Sequence, residues 1–330
     1  MNEIVIALDA MGGDNAPSET IKGCIDAVSK KDNVKILLVG IDEIIRNELN
    51  KYNFDKDKID IVHAGQVIGN DEVPTIAIKN KKDSSIVVGL NLVKEKKALA
   101  FISAGNTGAL LTGAITIIKR IKGIERPALG TLLPTEKGYC LLIDAGANVD
   151  CKANYLVQFA KMGAVYMENV LRISNPKIGL VNIGAEKEKG NSLTKECYEL
   201  LENAEINFIG NVEARDITAG VCDVVVCDAF VGNVILKFAE GFGKTILKVI
   251  KNEFTADLMS KTGAILAKGA FKRLKNYFDY SDVGGAPFLG LNALVVKAHG
   301  SSKHEDFEGA INQCLSFIEN DIVGKIQEKI

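Results

Sequence analysis

The feature of this sequence that bears most on chemistry is a set of short turns in which glycine stands next to an acid, an amide, a hydroxyl or a cation. Glycine lets backbone N–H groups approach a ligand closely, and amides at the start of a helix bind anions. Such turns can therefore hold a phosphate group or stabilise an oxyanion. They cover residues 9–14, 103–108, 144–148, 186–191, 210–216, 228–233, 284–290 and 298–302.

The first two turns are candidate anion sites, each placed between a predicted strand and a predicted helix. For the first turn the alternative is a tight turn capped by Asp14, and for the second it is an N-cap of the following helix. An N-cap accounts for only one of the four polar or small residues of the second turn. The predicted substrate-binding residues here are Asp9, Gly12, Gly13, Asp14, Ser103, Gly105, Asn106 and Thr107.

The middle turns carry acids, amides and one prominent cation. Asp144 and Asn148 are interpreted either as substrate ligands or as side chains that hold loops together by hydrogen bonds. Lys189, beside Gly190, is the best single cation for an anionic substrate, with Asn191 next to it. The alternative for Lys189 is a solvated charge run, because acids precede it.

The later turns offer charged pairs and possible oxyanion donors. Glu213 and Arg215 are interpreted as part of a substrate site or as a pair across a dimer, and Asp228 follows as a further candidate. Asn233 is predicted near a helix N-terminus, where it would donate to an oxyanion or act as an N-cap.

The last two turns are rich in glycine and lie close together in the sequence. Gly285 belongs to a predicted shaped loop that lines a pocket. His299, before a helix opened by Ser301 or Ser302, is either an anion ligand or a structural histidine.

Alternating strands and helices must position these turns. β-rich runs alternate with stretches of helical period, so we predict an α/β fold with a mostly parallel sheet sandwiched between helices. Ligands bind such sheets at the carboxyl ends of the strands, which is where we expect the chemistry. The predicted strands are 4–9, 34–39, 59–62, 99–103, 128–133, 139–144, 177–182, 206–210 and 224–228, and the predicted helices are 18–28, 84–94, 108–119, 154–171, 192–201 and 232–251.

Composition narrows the class of protein. The 330 residues are 47% hydrophobic and 25% charged, as in ordinary globular proteins, and the net charge of -2 gives no reason to expect nucleic acid as a partner. Seven cysteines without a CxxC pair favour buried thiols in a reducing cytosol over a zinc site. The N-terminus lacks a signal-peptide pattern. Dinucleotide, P-loop and nucleophile-elbow motifs are absent. We expect a cytoplasmic protein.

Residues 244–278 are predicted to form a basic amphipathic helical hairpin inserted within a single α/β domain of residues 1–330. Between Lys248 and Asn276 there are seven Lys or Arg and two acids, a net charge of +5. The hairpin is interpreted as a surface or dimer-forming element, or as an edge that lies on an anionic membrane or meets an acidic partner; the two interpretations are compatible. The predicted membrane contacts are Leu258, Met259, Ile265 and Leu266.

Taken together, the turns resemble one family. DAMGGD, SAGNTGA, DAGAN, KGN, GNVEARD, DAFVGN, GGAPFLG and AHGSS occur in the order and spacing of the phosphate acyltransferases of phospholipid synthesis, over roughly Ile4 to Ile318. Each motif is weak alone, but eight in register are specific. Asn15 stands where many members have histidine, which puts a proton-transfer role there in doubt. Ala229 stands where many have glycine, which narrows the loop beside Asn233.

The resemblance implies an activity, a fold and partners. The family transfers a long-chain acyl group reversibly from acyl carrier protein to inorganic phosphate, and the acyl phosphate feeds a membrane glycerol-3-phosphate acyltransferase. Its fold is similar to those of phosphotransacetylase and the isocitrate dehydrogenase group. Its members form homodimers and associate peripherally with the membrane. We expect the same of this chain, with no metal and no cofactor.

The residues fit this chemistry. Phosphate is already a nucleophile and a thiol departs as thiolate, so neither a catalytic triad nor a metal is required. We expect Lys189 and the amides of residues 105–107 to hold phosphate, and Asn233 or amides beside it to receive the oxyanion. The predicted catalytic residues are Lys189, Asn233 and His299.

Other functions remain open on the same scaffold. A phosphotransacetylase that uses coenzyme A, or a nicotinamide-dependent dehydrogenase, would share the fold. A non-catalytic membrane scaffold that recruits lipid enzymes through the hairpin is a rival of another class, although it would not need so many glycine-rich polar turns at strand ends.

Overall fold

A computed structural model describes residues 3–271, 273 and 284–330 of the chain. Within these residues eleven strands form one continuous sheet. The strands are β1 Ile4–Asp9, β2 Val34–Gly40, β3 Ile59–His63, β4 Ala100–Ser103, β5 Ala128–Thr135, β6 Gly138–Ile143, β7 Ile178–Asn182, β8 Phe208–Glu213, β9 Val224–Val226, β10 Ala286–Leu289 and β11 Leu294–Lys297.

The sheet consists of two parallel groups joined by antiparallel strands. Its order is β3-β2-β1-β4-β11-β10-β5-β6-β9-β7-β8. The first five strands are parallel to one another, and so are the last four. Between the groups, β10 and β5 pair antiparallel with each other and with their outer neighbours. The predicted mostly parallel α/β sheet is confirmed.

The strand register brings the carboxyl ends of the two groups together. Lys297, the last residue of β11, is opposite Ala286, and Ile143, the last residue of β6, is opposite Gly130. The pairing of β10 with β5 places Ala286 and Gly130 within about one residue of each other along the strand axis. Because β11 and β6 run toward this level from opposite directions, their carboxyl-end turns meet at the centre of the sheet.

Helices cover both faces of the sheet. In β1, Ile6 and Leu8 belong to one apolar cluster, and Ala7 between them belongs to the other. Successive strand residues face opposite sides, so a strand covered on both faces must be apolar throughout. The helices are α1 Ser18–Lys30, α2 Asp42–Leu49, α3 Pro74–Asn80, α4 Ser85–Lys94, α5 Thr107–Gly113, α6 Ala153–Val170, α7 Ser192–Glu202, α8 Ala214–Ile217, α9 Ala229–Phe254, α10 Leu258–Leu266, α11 His304–Glu319 and α12 Ile322–Lys329, with a π-helical turn at Ala114–Ile118.

Helices α9 and α10 form the projecting hairpin. Of the 26 residues of α9 only Ala229 and Gly232 are buried, and no residue of α10 is buried. The ring of Phe254 contacts Phe271 edge-on, with centroids 4.6 Å apart, so the chain folds back beyond α10. Residues 272 and 274–278 of the predicted hairpin lie outside the described residues. No helix in the described part of the chain is both long enough and apolar enough to cross a membrane.

Some local predictions are wrong. Residues 286–289, predicted as part of a loop, form β10, and residues 294–297 form a strand that was not predicted. Pro287 argues against a strand at residues 286–289, and a short apolar run such as 294–296 cannot be assigned to a strand by periodicity alone. The helix after the 298–302 turn begins at His304 rather than at Ser301 or Ser302. The predicted helix 108–119 is an α-helix only to Gly113 and continues as the π-helical turn.

Candidate active site

A cavity of about 640 Å³ lies where the carboxyl ends of the two strand groups meet. Turns from both groups line it, together with α9 and the segment 284–286. The residues that contact this cavity include Thr107, Gly146, Asn233, Gly285, Lys297 and His299. The sheet topology therefore converts turns that are distant in the sequence into one site.

The first two turns are fastened to each other by a buried carboxylate. Asp9 accepts hydrogen bonds from Ser103 Oγ at 2.6 Å and from Met11 N at 3.0 Å, and Ser103 Oγ in turn accepts from Gly105 N at 3.0 Å. Burial raises the pKa of Asp9, and these hydrogen bonds oppose the rise. A Cβ on Gly12 would lie 2.6 Å from Gly105 N, so only glycine permits this approach. Asp9 and Ser103 hold the turns in place.

The first turn also contacts the turn at 298–302. Asp14 N donates to Gly300 O at 2.7 Å, and the Asn15 amide donates to Ser301 O at 3.3 Å and Ser302 O at 3.2 Å. Gly13 has a φ of +100°, a conformation that glycine adopts readily. Asn15 thus holds the 298–302 turn, which lines the cavity.

The Asp144–Asn148 turn is held by its own side chains. The Asp144 carboxylate accepts from the backbone N–H groups of Leu129, Gly146 and Ala147 at 2.9–3.1 Å, and from both Asn148 nitrogens at 2.7–2.8 Å. Burial raises the pKa of Asp144 and these bonds oppose the rise. The loop-holding interpretation fits this geometry, and the turn presents Gly146 to the cavity.

The second turn begins α5. The Asn106 side chain caps this helix by accepting from Ala109 N at 3.0 Å, while its amide nitrogen donates to Gly69 O at 3.0 Å. Asn106 therefore has a capping role, and its neighbour Thr107 is the residue that lines the cavity.

The first turn of α9 packs against the Asp144–Asn148 turn, where Ala229 N donates to Asn148 O at 2.8 Å. Asp228 caps this helix by accepting from Val231 N at 2.9 Å. Asn233 lies in the turn that follows, as predicted, and lines the cavity. Larger apolar residues from several elements also line the cavity: Leu129, Leu132, Val149, Leu236 and Leu247.

A lysine at the end of β11 contributes to a cationic end of the cavity. Lys297 Nζ donates to Ala104 O at 3.1 Å and also to Ala298 O. Burial lowers the pKa of Lys297 to about 8, and the ammonium of Lys237 acts in the same direction.

Lys237 and His299 complete the cationic end. Lys237 Nζ lies 3.2 Å from His299 Nε2 and 2.9 Å from a Glu240 oxygen, and His299 Nδ1 lies 2.9 Å from Ser301 Oγ. Desolvation, and then Lys237, lower the pKa of His299, so its imidazole is neutral at neutral pH. Ser301 N also donates to His299 Nδ1, at 3.2 Å, so both ring nitrogens have partners.

Of the predicted catalytic and substrate-binding residues, only Thr107, Asn233, Gly285 and His299 line this cavity, and the turns at 186–191 and 210–216 contribute no residue to it. Lys189 is exposed in the turn after β7, and Asn191 beside it caps α7 by accepting from Thr194 N at 2.9 Å. Glu213 and Arg215, at the end of the edge strand β8, form an ion pair with each other.

Sequence reasoning missed Lys237 and Lys297. Lys237 lies four residues after Asn233 in a predicted helix, a spacing that places both on one helix face, so a signal was present. Lys297 directly precedes the AHGSS motif, but its strand was not predicted, and so neither was its position at a strand end.

One group of side chains in the described part of the chain has spacing suited to a metal ion: Glu19, His304 and Glu305. The Nδ1 atom of His304 lies 2.9 Å from an Asp26 oxygen and its Nε2 atom 2.9 Å from Lys22 Nζ. These partners occupy both ring nitrogens, and none of the three residues lines the cavity.

Comparisons with known proteins agree on one family. The model of the family described as fatty acid synthesis protein matches residues 4–325. The chain is 50% identical to the phosphate acyltransferase of Clostridium acetobutylicum over 99% of both chains, and 48% identical to that of Clostridium novyi over 98% of both.

Solved structures confirm the phosphotransacetylase-like fold. A phosphotransacetylase from Streptococcus pyogenes aligns with a TM-score of 0.66 at 19% identity, covering 96% of this chain and 94% of its own. A branched-chain phosphotransacylase from Enterococcus faecalis aligns with a TM-score of 0.60 at 14% identity, covering 96% and 99%. At these identities the likeness concerns the fold alone.

Proposed function

This chain belongs to the phosphate acyltransferase family, and we propose that it transfers a fatty acyl group reversibly from acyl carrier protein to inorganic phosphate. The product is an acyl phosphate, which serves phospholipid synthesis. The observation that carries the proposal is the cavity itself, which joins a cationic end to an apolar wall. An anion and an acyl chain are the two ligands that such a cavity accommodates together.

The cavity has the charge to receive phosphate. Its charged lining residues are Lys237, Lys244 and Lys297 against Glu240 and Asp306, so cations exceed anions. A phosphate and a thioester must be brought close, and oriented binding of this kind supplies much of the rate enhancement in a reaction that needs little acid–base help.

The proposed reaction is a direct attack in a ternary complex. A phosphate oxygen attacks the thioester carbonyl carbon, the carbonyl oxygen becomes an oxyanion, and the carbon–sulfur bond then breaks to release the carrier-protein thiolate. We assign the donor to the oxyanion to Asn233, because it lines the cavity near the capped start of α9. Thr107 and the 298–302 turn also line the cavity.

The other two predicted catalytic residues are His299 and Lys189, and only His299 lines the cavity. His299 lines the cavity beside Lys237, and as a neutral imidazole it adds a hydrogen-bonding group without further charge. Lys189 remains a prediction, because in this chain it is exposed outside the cavity lining. The same holds for Asn191, Glu213 and Arg215, for which an anionic substrate group or a dimer contact is still proposed.

The hairpin supports peripheral membrane association of a cytoplasmic enzyme. Leu258, Met259, Ile265 and Leu266 are 82%, 85%, 73% and 86% exposed, and four such apolar side chains on one short helix are typical of an interaction surface. Basic residues interleave with them, which suits an anionic lipid surface. We further propose a homodimer, and delivery of the acyl phosphate to a membrane glycerol-3-phosphate acyltransferase.

The test is thiol release from palmitoyl-acyl carrier protein with and without phosphate. We expect phosphate-dependent release and a product that hydroxylamine traps.

Other outcomes would point to the rival functions. Release that is equal without phosphate would indicate a thioesterase, and faster transfer from palmitoyl-coenzyme A would indicate a phosphotransacetylase-like donor. No release together with vesicle binding would favour a scaffold, and a nicotinamide absorbance change would indicate a dehydrogenase. An isolable acyl-enzyme would contradict direct attack.

A further inference from the structure

Lys297 differs from the other cations of the cavity in its surroundings. It ends β11, a strand whose neighbours are β4 and β10, so it is placed at the centre of the sheet. Its two hydrogen bonds within the described residues go to the neutral carbonyl oxygens of Ala104 and Ala298. An ammonium has three N–H donors, so within the described residues one donor is left for a ligand.

The carbonyl bonds fix the ammonium without neutralising it. Carbonyl oxygens orient the positive charge, but they do not replace the hydration that burial removes, which is why the pKa falls to about 8. A bound anion would supply the missing counter-charge. A buried ammonium whose burial costs free energy until an anion binds is typical of a ligand-binding site.

The other cations of the cavity are less suited to this role. Lys237 is already paired with Glu240 at 2.9 Å, and its second contact is His299. Lys244 is exposed on α9, and Lys189 lies outside the cavity.

We propose that Lys297 binds the phosphate substrate, anchoring it between the turns at 103–108 and 298–302. The proposal rests on the proposed function only for the identity of the anion; the anion site itself is argued from the contacts of Lys297. The role is that of a substrate-binding cation. It assigns to Lys297 the phosphate-binding role that the sequence analysis predicted for Lys189.

The charged groups that face Lys297 set its pH dependence. Asp9 and Asp14 of the first turn raise its pKa, and Lys237 of α9 lowers it, with desolvation as the largest effect. Only the protonated amine binds phosphate, so phosphate affinity of the free protein should fall as the pH rises through about 8. Arginine stays protonated over this range, so Lys297→Arg should lose that pH dependence.

The experiment compares Lys297→Met, Lys297→Arg and the control Lys94→Met with the wild-type protein. Lys94 is exposed at the end of α4, which leads toward the amino end of β4 and thus away from the cavity. Loss of one charge-assisted contact should raise the KM for phosphate by about tenfold or more in Lys297→Met, with the KM for the acyl donor unchanged. Lys94→Met should have the wild-type KM for phosphate. Lys297→Arg should still bind phosphate, and its affinity should not fall above pH 8.

A second measurement separates this proposal from the proposed function. Inorganic phosphate that binds the native state raises the melting temperature whether or not acyl transfer occurs. If the wild type and Lys94→Met gain this stabilisation and Lys297→Met does not, the anion site stands even if no acyl phosphate is ever made. Equal phosphate-induced shifts in all variants, or an unchanged KM for phosphate in Lys297→Met, would overturn the assignment while leaving the activity intact.

Discussion

The contact between the start of α9 and the Asp144 turn allows a sharp test of how the site is held. A Cβ added to Gly232 would lie 2.0 Å from Asp144 O and 3.1 Å from Cys227 Sγ. The first neighbour is a backbone atom in a turn fixed by five hydrogen bonds, so it cannot rotate away. Gly232→Ala must therefore move α9 away from the turn and carry Asn233 with it.

The expected change in the free energy of unfolding combines two opposing effects. Alanine in place of glycine within a helix stabilises it by about 0.8–1.0 kcal/mol. Overpacking costs about 1–3 kcal/mol, and a backbone contact this short belongs at the upper end of that range. Gly241, on the same helix, has nothing within 4 Å of its added Cβ, so Gly241→Ala should show the propensity gain alone. The two variants should thus differ in stability by about 2–3 kcal/mol.

Urea denaturation of both variants measures this difference, and phosphate-dependent thiol release measures its effect on the site. We expect Gly232→Ala to lose stability and most of its turnover, and Gly241→Ala to gain stability with turnover unchanged. Equal stabilisation of the two variants would refute the reasoning, because it would mean that α9 does not approach the Asp144 turn as described.

Three further predictions concern single side chains. Asn233→Ala should lower kcat by about 10²–10³ with little change in the melting temperature, as loss of one oxyanion donor does; wild-type turnover would exclude that role. Lys189→Ala should lower transfer by about tenfold or more if its ammonium contacts substrate, and full activity would remove it from the site. Leu258→Glu should weaken binding to anionic vesicles by about tenfold or more, measured by sedimentation, whereas Leu200→Glu on α7 should not; equal binding of the two would refute hairpin insertion.

Much of the fold was predictable because its signals are local. An apolar run such as Ile4–Asp9 is buried on both faces, and the sequence predicted this strand with the observed bounds. A glycine-rich turn that ends a strand and starts a helix is likewise visible within a few residues, so both turns at 9–14 and 103–108 were recognised. The family resemblance followed from several such turns in register, and the comparisons confirm it.

The roles of individual turn residues were less predictable. Asp144 and Asn106 are polar residues in promising turns, but their hydrogen bonds fasten the turns rather than leave polar groups for substrate. From the sequence, a side chain that fixes a loop and one that contacts a ligand are the same residue type, and only the three-dimensional contacts separate them.

The sequence by itself determined the alternation of strands and helices, the family and several of the turns that line the cavity. The tertiary structure alone decided which turns share one cavity. Ala104 and Lys297 are 193 positions apart in the chain, yet they are joined by a hydrogen bond, because β11 pairs with β4. The antiparallel strands β10 and β5 set the level at which the two strand groups meet. Such pairing depends on long-range register, which no local pattern of residues encodes.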